Sequence, residues 1–189
     1  MAVYLTAIAN SLSLNIKKVT LQLILTEGVQ KNFGSKNKMC ANASIGQKSS
    51  CIFCNIANKL ENTEILYEDE EVCVFRDIKP ASDYHILTIP KRHIDDVKCL
   101  TSADKELVQK MLATAKELLA KNNLSLEDAR FGYHWPPFRS IKHLHLHTIA
   151  PESKMGFIGN MVFRKNSFWF VSVSIFKLYQ IYFIACFFY

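Results

Sequence analysis

Hydrophobic and polar positions along residues 51–173 follow two periods, and the order of those periods predicts a fold. The runs 63–69 (TEILYED) and 71–77 (EVCVFRD) are rich in β-branched and aromatic residues. Acidic turn residues split them, so they predict a hairpin. A third strand is predicted at 85–90 (HILTIP), closed by Pro90. The period then changes. Leu107, Met111, Ala115 and Leu118 recur at helical spacing, and Val108, Leu112 and Leu119 widen the stripe. Thr101 and Asp104 have the spacing of a capping box ahead of this one long helix. Asn122 and Asn123 supply its stop. Residues 129–134 (ARFGYH) and 143–150 (HLHLHTIA) predict two more strands, and 51–60 (CIFCNIANKL) predicts a short leading helix. Strands, a helix, then strands imply an α+β domain with a mainly antiparallel sheet.

The flanks lack this order. Residues 1–50 end in the polar run NKMCANASIGQKSS and are read as a mobile leader. The domain is expected at 51–173, followed by an apolar aromatic tail at 174–189. From residue 168 to 189 only Lys177 is charged, a length sufficient to span a bilayer. A charge near the middle of an inserting helix costs about 2.5–3.5 kcal/mol, and FWFVSV alternates as a strand does. Membrane contact, if any, is expected only through residues 168–189.

The net charge of +6 favours anionic partners without choosing among nucleotides, nucleic acid and acidic lipid. The spacing of the six cysteines does not resemble a disulfide framework, and only Cys51 and Cys54 form a C-x-x-C pair. The first residues carry neither a basic stretch nor a long apolar core. The expected location is therefore the cytoplasm, with the nucleus open as well.

Residues 141–151 read I-K-H-L-H-L-H-T-I-A-P. On a strand, His143, His145 and His147 would share one face, spaced about 6.6–6.8 Å apart, with Leu144, Leu146 and Thr148 on the other. Neutral imidazole is a good nucleophile near pH 7. It can attack phosphorus and leave again, dividing one hard displacement into two easier ones. A second histidine can protonate a leaving amine. Ser140, three residues before His143, is a hydroxyl suited to the developing charge. The same spacing also suits a zinc ion, so the run alone leaves metal binding and phosphoryl chemistry equally open. His85 reads as a satisfied core histidine, and His134 has no assigned role.

The context of the run resembles one family. HLHLHTIAP resembles the histidine triad motif, FRDIKPASDYHILTIPKRH resembles that family's nucleoside-binding hairpin, and CIFCNIA resembles its N-terminal segment. The resemblance spans residues 51–173 and lies nearest the Hint branch. It implies a five-stranded antiparallel sheet with one long helix and a short N-terminal helix, assembled as a homodimer or higher oligomer. The implied reaction is hydrolysis of the P–N bond in purine nucleoside phosphoramidates, including lysyl-AMP, through a covalent AMP–histidine intermediate. In that scheme His145 is the nucleophile, His147 contacts the phosphate and leaving group, and His143 orients His145. Asp77 binds the ribose hydroxyls, Arg76 and Ile78 flank the nucleoside, and Ser140 lies near the bridging nitrogen.

Departures are also visible. Gly132 stands where many Hint proteins have Asn, and Phe138 and Arg139 replace a Gly and a Gln before the triad. Arg139 is offered as a phosphate contact of this chain's own. The resemblance implies no cofactor in catalysis itself. It does imply a structural zinc site in some members, which maps onto Cys51, Cys54, His93 and His143. Two other functions stand beside the hydrolase. One is aprataxin-like removal of AMP from adenylated nucleic acid ends, disfavoured because only Cys186 follows the triad where that group carries a zinc finger. The other is a non-catalytic, dimeric nucleotide-binding scaffold.

Overall fold

A computed structural model describes residues 49–165 and 167–173, all within one compact unit, Cys40–Tyr189. Of the expected leader only residues 49 and 50 are described, and the tail at 174–189 lies outside the described residues. The chain runs through α1 (Ile52–Ala57), β1 (Ile65–Glu68), β2 (Val72–Arg76) and β3 (Tyr84–Pro90). It continues through α2 (Lys105–Lys121), β4 (Arg130–His134), β5 (Leu146–Ala150), α3 (Phe157–Val162) and β6 (Phe170–Ser172). The sheet has the order β1-β2-β3-β5-β4-β6, and every neighbouring pair is antiparallel.

Local signals account for most of these elements. Thr101 N–H and Oγ1 both donate to Asp104 Oδ2, at 2.7 and 2.8 Å, which closes the predicted capping box. At the far end Asn122 Nδ2 donates to Leu118 O at 2.7 Å, and Asn123 takes a φ of 55°. That left-handed conformation is one asparagine tolerates well.

The sheet has six strands where five were expected. The sixth is the alternating FWFVSV stretch, which pairs with the outer edge of β4. Residues Phe170–Ser172 are thereby committed to a sheet edge, and no described helix is long and apolar enough to cross a membrane. The close approach depends on Gly132. A Cβ there would stand 2.5 Å from the Phe170 ring and 2.8 Å from the Val171 carbonyl oxygen. This explains why the position expected to hold Asn holds Gly: Phe170 occupies the space.

Both faces of the sheet are covered. On one, Leu107, Val108, Met111, Leu112 and Ala115 of α2 pack on Val72, Leu144 and Leu146. Leu118 and Leu119 pack on Val74, Tyr84 and Ile86. Each buried Leu, Val or Met among them contributes about 1.5–3 kcal/mol, so packing outweighs intrinsic helix propensity here. On the other face, Phe53, Ile56 and Ala57 of α1 cover Cys73, Phe75, Leu87 and Ile89. Met155, Phe163 and Phe170 cover Ile149. These two caps flank the histidines.

Candidate active site

The histidine run is only partly on a strand. β5 begins at Leu146, so His147 lies in the ladder while His143 and His145 lie on the approach to it. The approach is held elsewhere: Leu144 N–H donates to Ile94 O at 2.6 Å, tying it to the segment after β3. Alternation nonetheless survives, because Leu144 and Leu146 remain in the α2-facing core. The rings of His145 and His147 lie 4.9 Å apart, and Phe53 packs edge-on against both His143 and His145.

Each ring has one nitrogen fixed. His145 Nδ1–H donates to the His143 carbonyl oxygen at 2.5 Å. The orienting group is thus the backbone of His143, not its imidazole. This sets the tautomer of His145 and leaves the Nε2 lone pair available. Burial keeps His145 below its ordinary pKa and therefore neutral at pH 7. His147 Nδ1 meets His85 Nε2 at 3.0 Å, and its own Nε2 is buried with no partner among the described residues. Burial also holds His147 well below 6.5 and lowers His85 to about 4. A buried donor left unpaired is costly, so its retention beside the ring of His145 points to a ligand group that pairs with it.

The remaining expected residues divide into those the fold brings here and those it does not. Asp77 arrives from the β2–β3 turn, with Oδ2 3.4 Å from His85 Nε2 and 3.7 Å from His147 Nδ1. Ile78 is beside it and 93% exposed, an apolar surface with no protein cover. Arg76 lies on the other face of the sheet. It pairs with Ile86, whose side chain faces α2, so strand alternation turns Arg76 to that face, where it lies over the Tyr84 ring at 5.3 Å. Ser140 is exposed, and no described hydrogen bond joins it to the triad. Arg139 donates to Asp96 Oδ2 at 2.8 Å, and its buried Nε has no partner among the described residues. It lines a small cavity with Asp96, Val97, His134, His143 and His145.

Two histidines enter that the sequence left outside. His85 is under His147, and His134 packs edge-on to His147 with Nδ1–H donating to Trp169 O at 3.2 Å. The only sequence signal for His85 was its lone polar ring inside an apolar strand.

Cys51, Cys54, His93 and His143 do converge, with one donor atom from each lying within 4.8 Å of the others. Cys51 Sγ and Cys54 Sγ lie 3.4 and 3.5 Å from His143 Nδ1, and Cys54 Sγ lies 3.2 Å from His93 Nδ1. Ligands around tetrahedral zinc, with bonds of about 2.0–2.3 Å, stand about 3.5 Å apart. The outer ring nitrogens are held too: His93 Nε2–H by Asp95 at 2.8 Å and His143 Nε2–H by Pro90 O at 2.9 Å. Such second contacts aim the inner nitrogens at a metal. The donor set therefore fits zinc.

Comparison with known proteins agrees with this geometry. Residues 50–162 match the family model described as scavenger mRNA decapping enzyme C-term binding. The chain is 48% identical over 127 residues to the adenosine 5'-monophosphoramidase HINT3 of Xenopus tropicalis, covering 66% of this chain and 83% of that one. It is 46% identical over 129 residues to the protein of the same name from Mus musculus, covering 67% and 78%. Among solved structures, a histidine triad protein from Clostridium difficile superposes with a TM-score of 0.52 at 28% identity, covering 55% of this chain and 91% of that one. With three histidines at alternate positions, a six-stranded antiparallel sheet and these relatives, the chain belongs to the histidine triad family of hydrolases.

Proposed function

We propose that the protein is an adenosine 5'-monophosphoramidase. The observation that carries this is the fixed tautomer of His145: its Nδ1–H is committed to the His143 carbonyl and its Nε2 is left bare beside the unpartnered Nε2 of His147. The name shared by the two relatives supports the same substrate class.

In this reading Asp77 accepts the ribose hydroxyls and Ile78 lies against the nucleoside. Arg76, turned to the α2 side, takes no part. His145 Nε2 attacks the α-phosphorus, the P–N bond breaks, and the amine leaves with a proton from His147. Water then releases AMP and restores His145. Arg139, held by Asp96, stabilises charge on the phosphoryl oxygens. Ser140, just before the triad, would serve the bridging nitrogen. A zinc ion bound by Cys51, Cys54, His93 and His143 would supply structure alone, pinning α1 to the catalytic segment. The reading carries a two-fold dimer with it, which sedimentation of the full chain tests.

The decisive experiment is hydrolysis of an adenosine 5'-phosphoramidate by the full chain and by His145→Asn. Turnover by the parent and its loss in the folded variant are expected. AMP binding without turnover in both would replace the enzyme with a nucleotide-binding scaffold.

A further inference from the structure

Under His147 lies a hydrogen-bond arrangement that phosphate binding alone does not require. Ala81 N–H donates to His85 Nδ1 at 3.1 Å, so the neutral His85 ring carries its proton on Nε2. That Nε2–H faces His147 Nδ1 at 3.0 Å and Asp77 Oδ2 at 3.4 Å. The His147 ring is consequently held with its single proton on Nε2, the orphaned nitrogen. The other oxygen of Asp77, Oδ1, accepts from Lys79 N–H at 2.8 Å, which fixes the carboxylate in place.

This resting state cannot protonate an amine. A neutral imidazole that gives up its only N–H becomes an anion. To act as an acid His147 must carry both protons, and its Nδ1–H would then point at the Nε2–H of His85, donor against donor. The groups facing His147 are His85 from β3, His134 from β4, His145 from the approach to β5, Asp77 from the β2–β3 turn, and the rings of Phe163 and Phe170. Of these only Asp77 is an anion, and its Oδ2 is 3.7 Å from His147 Nδ1.

We propose that Asp77 is the counter-charge of the working His147: on double protonation the Nδ1–H of His147 turns from His85 to Asp77 Oδ2, and His85 Nε2–H donates to the same oxygen. This rests on the phosphoramidase reading and adds a second task to the residue expected to hold the sugar. The balance closes over one cycle. His145 Nε2 bonds to phosphorus as the P–N bond breaks, and the nitrogen takes the Nε2 proton of His147. His147 is then neutral with its proton on Nδ1, held by Asp77, and with Nε2 bare. That nitrogen removes a proton from the attacking water, the phosphorus–His145 bond breaks, and His147 is doubly protonated again. Asp77 thus holds the tautomer that the second half of the reaction needs, while His85 holds the opposite one at rest. Asp77 is a positioning residue in this role, because it acts through His147.

The test compares two leaving groups in the first turnover at saturating substrate. An AMP phosphoramidate of a simple amine needs a proton to leave, and the AMP ester of p-nitrophenol does not. In Asp77→Asn the burst of amine should slow at least roughly tenfold at pH 7.5, the effect of one pKa unit on the acid. Its alkaline limb should move to lower pH. The p-nitrophenolate burst should slow clearly less than the amine burst, because any loss of the sugar contact is common to both compounds, and thermal unfolding of the variant checks its fold. Equal slowing of both bursts, or slowing of neither, would overturn the proposal and leave Asp77 to the sugar. A parent protein that cleaves neither compound overturns the phosphoramidase reading, and this proposal with it.

Discussion

At the scale of single residues the site is built by fixing one nitrogen of each ring and freeing the other. His145 is fixed by a carbonyl two residues earlier, a bond that alternation along an extended segment makes available. The run of histidines was legible in the sequence because it is local. The partners of His147 were not, since His85 lies 62 positions away and looks like any buried polar residue on a strand. Arg139 is a similar case. It falls before the triad in sequence, but its orientation comes from Asp96, whose Oδ1 is in turn held by Lys98 N–H at 2.9 Å. In the proposed reaction a guanidinium so held would meet developing phosphoryl charge without reorganising. Arg139→Ala should lower kcat on the order of a hundredfold with little change in KM. An unchanged kcat in steady-state assays would remove Arg139 from the phosphate.

At the scale of elements, α1 matters more than its six residues suggest. It has no side-chain cap and too few turns to be stable alone. Its place depends on Phe53, Ile56 and Ala57 packing over β2 and β3, and on the two cysteines at its start facing His143. A zinc ion there would close a loop of some ninety residues between Cys51 and His143. Protein purified without chelator should contain about one zinc per chain. Replacing Cys51 and Cys54 together by Ser should abolish that metal and lower Tm by several degrees. Metal analysis that finds no zinc in the parent, or an unaltered Tm in the double variant, would leave α1 held by apolar packing alone. β6 makes the complementary point. Its alternation was visible in FWFVSV, but its pairing partner was not, because only the absent side chain of Gly132 lets Phe170 lie over β4.

For the whole molecule, the same burial that prepares the site makes the fold sensitive to acid. His85 is lowered to about 4 by burial, against an ordinary value of 6.5, and His147 is held well below that value for the same reason. The folded state therefore prefers these rings neutral. Their contribution is complete above pH 6.5 and is lost as the pH falls from there toward 4, because the unfolded chain binds protons that the folded one refuses. Asp69, lowered to about 2 by its hydrogen bonds to Val72 and Glu71 against the opposing effect of burial, loses its contribution only in stronger acid. Tm should be level between pH 8 and 7 and fall by several degrees between pH 6.5 and 5. Thermal scans that stay flat through that window would mean the histidines are not the groups that set acid stability.

Sequence alone determined what depends on near neighbours. The two hydrophobic periods specified the β1–β2 hairpin, β3 and the length of α2, because side-chain direction repeats every two residues on a strand and every 3.6 on a helix. Alternation likewise placed three histidines on one side of the chain. Tertiary structure decided everything that required distant segments to meet. It brought Asp77 and His85 under His147, set Arg139 beside His145, gathered four metal donors from three separate segments, and turned Arg76 away. The physical reason is the same in each case: which nitrogen carries a proton, and which way a charge faces, depend on the hydrogen-bond partner across the sheet, and no local pattern records that partner.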